Sequence, residues 1–160
     1  MLKRQIVLTS LSLLILTSLK AAGPSGFVHW SNADLKAFTK KLAPKMNAQK
    51  MASEQLGKHG NHSFMVAYRG ANGEAELHET QTDVFVAQSG EATLVVGGTV
   101  LNVRTTAPGE IRGSGIQGGE SKKLGAGDVV HIPAGTPHQL MIDGGKHFTY
   151  LVLKIDQPEK

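Results

Sequence analysis

Residues 127–140 read GDVVHIPAGTPHQL. Two valines and an isoleucine run into Pro133-Ala134-Gly135, a Pro-x-Gly signature of a tight turn, and His138 stands just beyond it at the head of a second apolar run, QLMI. A strand, a turn and another strand therefore bring one histidine, His138, to a strand start, while His131 sits in the strand that enters the turn. Histidine is the commonest metal ligand among side chains. A ligand needs company, and the rest of the chain has to supply it.

Upstream, EAELHETQTD over residues 74–83 has the alternation of a strand, which places Glu76, His78 and Thr80 on one face and Leu77 and Glu79 on the other. A carboxylate and an imidazole two positions apart on one face can hold the same ion. His138, from a sequence-distant strand, is the natural third donor. The chain has no cysteine, so a disulfide framework, a thiolate nucleophile and a Cys-ligated zinc site are all excluded. Metal chemistry here has to use His, carboxylate and water.

Between and around these stretches the texture is that of short strands. With 19 glycines and 6 prolines against 8 aromatic residues, the 160-residue chain has many turn signals for one domain. Asn72-Gly73 between SFMVAYR and EAELHET reads as a hairpin turn, as does Gly97-Gly98 between ATLVV and TVLNV, and Asp143-Gly144-Gly145 separates HQLMI from HFTYLVLKI. Residues 106–127 are Gly-rich and read as a long irregular loop with one or two weak strands. There is no βα alternation, internal repeat or phosphate-binding glycine motif. The pattern predicts an all-β sandwich or small barrel.

The two quoted stretches also fit a known pair of motifs, and the chain resembles the cupin superfamily. The first motif, G-x5-H-x-H-x3-4-E-x6-G, is matched in spacing by Gly70, Glu76, His78, Asp83 and Gly90; the second, G-x5-P-x-G-x2-H-x3-N, by Gly127, Pro133, Gly135 and His138, with Ile142 in the place of the asparagine. The resemblance covers about residues 62–155 and implies a single jelly-roll β-barrel, a metal site and, by analogy with small barrels of this type, a homodimer. A typical member holds its metal on three histidines and a glutamate. Carried over position by position, the ligands here are Glu76, His78, Asp83 and His138, with Glu in place of the first histidine and Asp in place of the glutamate. Asp is one methylene shorter than Glu, which leaves direct ligation by Asp83 open. A set of two histidines and one or two carboxylates implies a divalent ion, Fe, Mn or Zn ahead of Cu. His131 occupies no ligand position; a hydrogen bond to a ligand, plain packing and a proton shuttle are the roles open to it. His29, His59, His62 and His147 match neither motif. Tyr68, Gln88, Gln139 and Tyr150 are positioned to line a pocket.

The N-terminal part reads differently. MLKR followed by an apolar run from Ile6 to Leu19 and by Ala21, Ala22 and Gly23 has the form of a secretory signal peptide over residues 1–22, with an uncleaved anchor as the competing reading. Either places the folded part outside the cytoplasm, secreted or periplasmic, with no stable membrane insertion once the leader is cut. Lys3, Arg4 and Lys20 lie in that leader, and taking them from 17 basic residues leaves 14 against 13 acidic ones, which removes the charge argument for nucleic acid. Residues 23–60 read as a helical arm: Leu35, Phe38, Leu42 and Met46 recur at steps of three or four, Ser31 and Asp34 form an N-terminal cap, Pro44 predicts a kink, and Gly57 and Gly60 end the region. The barrel is expected over 61–157. The function that follows is that of a secreted metal-binding barrel, an oxygenase or an isomerase or lyase acting on a small organic molecule, with a non-catalytic ligand-binding or metal-binding module as the alternative.

Overall fold

The computed structural model describes residues 23–158, so the leader read over residues 1–22 lies outside the described residues. Helix α1, Asn32–Leu42, opens on the expected cap. Asp34 N–H donates to Ser31 Oγ at 3.1 Å and Ser31 N–H donates to Asp34 Oδ2 at 2.9 Å, a reciprocal capping box. Pro44, expected to kink the helical region, instead stands in the 3-10 turn Ala43–Lys45 that ends it. Among the described residues no helix is long and apolar enough to cross a membrane.

Twelve strands follow: β1 Met51–His59, β2 His62–Arg69, β3 Ala75–His78, β4 Gln81–Val96, β5 Thr99–Leu101, β6 Arg104–Ala107, β7 Glu110–Gly113, β8 Gly115–Gln117, β9 Glu120–Gly125, β10 Val129–Ile132, β11 His138–Met141 and β12 Phe148–Asp156. The all-β expectation is met: one sheet runs β1-β2-β12-β4-β10 and the other β9-β4-β11-β3-β7-β6, with β5 and β8 paired separately. β4 belongs to both. Its first half, through Gly90, pairs β12 and its second half, from Glu91, pairs β9 and β11, so one 16-residue strand turns the corner of the barrel. Gly90 makes that corner. Its φ is 77° and a Cβ there would lie 1.9 Å from the carbonyl oxygen of His147, so no other residue fits without moving backbone.

Three sequence expectations need correction. Residues 51–59 are a strand and not part of the helical arm, because β1 pairs antiparallel with β2 through a tight turn at Gly60-Asn61, and the ladder outweighs the helix-forming Met, Ala, Glu and Gln. Residues 106–127 hold most of β6 to β9 instead of an irregular loop. Asn72-Gly73 and Gly97-Gly98 are not hairpin turns, and the break at residues 143–145 does not join paired strands either. β2 and β3 lie in different sheets, as do β11 and β12, and β5 pairs β8 instead of β4. At these breaks the chain leaves one sheet for another, whereas β1–β2 and β6–β7 are the consecutive strands that pair directly.

Two apolar clusters hold the fold. The barrel interior packs Phe85, Leu94, Ile132, Leu140, Phe148, Tyr150 and Val152 with their neighbours, and Phe85 lies edge-on to Tyr150 with ring centroids 5.0 Å apart. The second cluster is outside the barrel. α1 lays Leu42, Leu35 and Phe38 against Val66, Tyr68 and Leu151 of β2 and β12, and Thr39 Oγ1 hydrogen-bonds Ser89 Oγ and Thr149 Oγ1 beneath the helix.

Candidate metal centre

Cross-strand register assembles the site. His138 of β11 stands directly opposite Glu76 of β3, and across the other edge of β3 Glu76 stands opposite Arg112 and His78 opposite Glu110 of β7. Asp83 of β4 stands opposite Lys154 of β12. The Pro133-Ala134-Gly135 turn closes on itself through Thr136 N–H to Pro133 O, 3.2 Å, and Gly135, with φ 74°, donates its N–H to the carbonyl of His78 at 2.7 Å. One short turn thus delivers His138 and fastens the end of the strand that carries His78.

The ligand atoms of Glu76, His78 and His138 lie within 4.8 Å of one another, the only such triad of metal-binding side chains among the described residues. Both histidine rings are fixed from behind. His138 Nδ1 donates to the carbonyl of Thr136 at 3.1 Å, and His78 Nδ1 meets both carboxylate oxygens of Glu110, at 2.8 and 2.9 Å. Each ring therefore turns Nε2 inward. His138 Nε2 is buried with no hydrogen-bond partner, and burial pushes this ring's pKa down, so it presents a bare lone pair to the other ligands. That orientation, with one nitrogen anchored to a carbonyl or carboxylate and the other free, is how metal-binding histidines are held.

Asp83 sits beside both rings without joining the triad. Its Oδ2 is 3.4 Å from His78 Nε2 and 3.7 Å from His138 Nε2, and its Oδ1 accepts from Lys154 Nζ at 2.9 Å. Lys154 Nζ also lies 3.1 Å from His78 Nε2. Glu76 is gripped from the far side by Arg69, whose Nη2 donates to Oε1 at 3.1 Å while its Nε donates to the Tyr150 hydroxyl at 3.0 Å, and Arg112 stands 3.8 Å away.

These neighbours set the charges. Burial works against the Glu76 carboxylate, but the His78 ring beside it and the two arginines outweigh it and bring its pKa down to about 2. Burial likewise opposes a charged Asp83, and His78 and Lys154 overcome it and lower its pKa. Burial also disfavours a charge on His78, yet the nearby carboxylates of Asp83 and Glu76, 3.4 and 3.6 Å from Nε2, prevail and hold its pKa up at about 9, with Lys154 pulling the other way. The approach of the ammonium to Nε2 requires a bare nitrogen, so proton and ammonium alternate at that atom instead of sharing it.

Several sequence expectations end differently. His131 is exposed on the strand opposite Val84, with neither a ligand contact nor a packing role. Of the four residues expected at a pocket, Tyr150 lines the cavity beside the triad, whereas Tyr68 packs under the helix and stacks on His147, Gln88 bonds the backbone of Val86, and Gln139 bonds the carbonyl of Gly73. That cavity, about 410 Å³, is walled by three cations, Arg69, Arg112 and Lys154, and three carboxylates, Glu74, Glu76 and Asp83, on its polar side and by Met51, Met65, Phe85 and Val152 on its apolar side. Arg69, Glu110, Arg112 and Lys154 were not among the expected site residues. Glu110-Ile111-Arg112 repeats the alternation of Glu76-Leu77-His78, a signal hidden by reading the segment as loop.

The sequence matches no protein-family model and no curated protein. Solved structures are similar to it in fold. A Thermus thermophilus protein is 22% identical, with 74% of this chain and 94% of that one covered and a TM-score of 0.53. A cupin-2 domain from Rhodospirillum rubrum is 13% identical over 70% of this chain and 64% of its own, with a TM-score of 0.51. A DMSP lyase from Ruegeria pomeroyi is 20% identical over 76% of this chain and 55% of its own, with a TM-score of 0.50.

Proposed function

From the cupin fold of this chain, we propose that it is an exported barrel that binds a divalent metal and acts as an enzyme on a small organic molecule. The observation that carries the reading is the buried, partnerless Nε2 of His138, aimed at His78 Nε2 and the Glu76 carboxylate with both rings anchored from behind. Leaving such a nitrogen unsatisfied costs about 1–3 kcal/mol, a cost that metal ligation removes. Glu76, His78 and His138 would hold the ion, with Asp83 beside them. Two imidazoles and a carboxylate suit Fe, Mn or Zn, and such an ion supplies Lewis-acid polarisation of a bound oxygen group, or redox chemistry where the metal has it.

The chain's own residues do the rest. Arg69 and Arg112 fix the direction of the Glu76 carboxylate, Glu110 fixes the tautomer and tilt of His78, and Thr136 O fixes those of His138. The charged side of the cavity, where Arg69, Arg112 and Lys154 face Glu74, Glu76 and Asp83, receives the polar end of the molecule, and Met65, Phe85 and Val152 exclude water around its apolar part. The enzyme acts outside the cytoplasm after loss of its leader, as a homodimer.

A second reading, a metal-free barrel that binds a small organic ligand, draws on the same cluster: Arg69, Arg112 and Lys154 together match the charges of Glu76, Glu110 and Asp83, so the site balances without an ion. Elemental analysis separates the two. The mature protein exported by its own leader carries near-stoichiometric Fe, Mn, Zn or Cu, and a folded His138→Ala variant carries little. No metal in the wild type, even after incubation with each ion, would leave the ligand-binding barrel as the better account.

A further inference from the structure

Lys154 reaches the ligand group from the opposite sheet. It stands across from Asp83 in the β12–β4 ladder, with Nζ 2.9 Å from Asp83 Oδ1 and 3.1 Å from His78 Nε2. The second contact is the informative one. A neutral imidazole protonated on one nitrogen has a single in-plane lone pair on the other, which accepts from one donor or binds one metal. His78 Nδ1 is committed to Glu110, so Nε2 is the one coordinating atom that ring has left, and the ammonium lies against it.

Charge argues the same way. The Asp83 carboxylate and the two inward nitrogens form a place for one cation, and Lys154 brings a full positive charge into it from a side chain that is itself only 22% exposed. A divalent ion on the same atoms would meet that ammonium in a poorly screened interior. Lys154 has somewhere else to go. Its side chain forms part of the wall of the open cavity, alongside Val152, Met65 and Arg112, so withdrawal takes the ammonium toward water without crossing packed core.

We propose that Lys154 is a built-in competitor for the metal site: its ammonium and a divalent cation hold the position between Asp83 and His78 in turn, and Lys154 thereby sets how tightly Glu76, His78 and His138 take a metal. This rests on the metal-binding reading above and adds a specificity residue to it. An ion that binds strongly enough displaces Lys154 into the cavity; a weaker one leaves it in place.

The test titrates Zn²⁺ and, separately, Mn²⁺ against a chromophoric chelator for the wild type, Lys154→Met and His138→Ala at one neutral pH, each shown folded by circular dichroism. Methionine keeps the length and loses the charge. Lys154→Met is expected to bind at least tenfold tighter than the wild type, and His138→Ala to lose binding. Binding by Lys154→Met alone would support the proposal most directly. A wild type that binds, beside a folded Lys154→Met that binds no tighter, would overturn the competitor and leave the metal site standing. Binding by neither above the His138→Ala background would remove both. Amine-reactive labelling of the wild type, read by mass spectrometry, gives a check that does not need the variant to fold. Lys154 is labelled faster once Zn²⁺ is bound, and unchanged labelling of the zinc-loaded protein counts against displacement.

Discussion

Glu110 is the residue whose contribution is easiest to isolate. Its carboxylate meets His78 at Nδ1, 2.8 Å away and on the side of the ring opposite the triad, and it also pairs with Arg112 at 3.1 Å. Glu110→Gln keeps an acceptor and removes the charge, so the ring stays oriented while its inward nitrogen becomes less basic. Metal affinity is expected to fall about 10- to 100-fold with the fold intact, measured by chelator competition; an unchanged affinity would mean that the carboxylate is merely a surface group. The pH dependence follows from His78. Its pKa is raised to about 9, and a metal needs the neutral ring, so apparent affinity rises up to about tenfold per pH unit from neutrality to about pH 9 and levels above it. In the absence of metal the sign for stability is opposite: the charged ring's contribution is complete below the ordinary histidine range, near 6.5, and is lost as pH rises through about 9. Calorimetry in buffers of different ionisation enthalpy reads the proton released on binding, and zero release at pH 7 would contradict the raised pKa. Glu76, His78, Asp83 and His138 were legible in the sequence because motif spacing reports positions along strands. Arg69, Glu110, Arg112 and Lys154 were not, since each is brought in by pairing between strands, which spacing within one strand does not encode.

Among the elements, β4 decides most. Its two halves belong to different sheets, and the change of sheet at Gly90 is enforced by a positive φ and by the carbonyl of His147 where a Cβ would fall. Gly90→Ala is therefore expected to cost more than the about 1–2 kcal/mol of a left-handed alanine, because the β4–β12 corner also has to open. Urea denaturation measures it, and a midpoint within error of the wild type would show that the corner is not held there. Strands such as β2, β3, β11 and β12 were legible as alternating runs, whereas β1 and most of β6–β9 were not, and the partners of none of them were. Each glycine-rich break that looked like a hairpin turn has the right chemistry for a reversal of the chain, and local sequence does not say whether the next strand pairs with the last or crosses to the facing sheet. The segment 51–59 failed for a related reason: its composition favours helix, and the free edge of β2 decided otherwise.

At the scale of the molecule, two apolar clusters do separate work. Leu42, 1% exposed, anchors α1 on the outer face of β2 and β12, while the triad lies on the inner side of the barrel. Leu42→Ala is expected to destabilise the protein by about 2–5 kcal/mol while leaving metal affinity per folded molecule unchanged, since the two sites share no partner. Denaturation and chelator titration on the same sample test this, and a parallel loss of affinity would show that the helix supports the site through the sheet. The barrel class was readable from turn density and the two motifs. The docking of α1 was half readable: its stripe was visible, its destination was not.

The separation of the ligands along the chain has a last consequence. His78 and His138 are divided by seven strands and meet only when β11 has zipped onto β3 and β4. Such long-range pairing closes late in folding. A chain threaded through a membrane in unfolded form would carry no coordinating pocket during transit, and its metal would be drawn from whatever ions surround it where the barrel finally closes. The choice of ion would then belong as much to the compartment of folding as to the donor atoms.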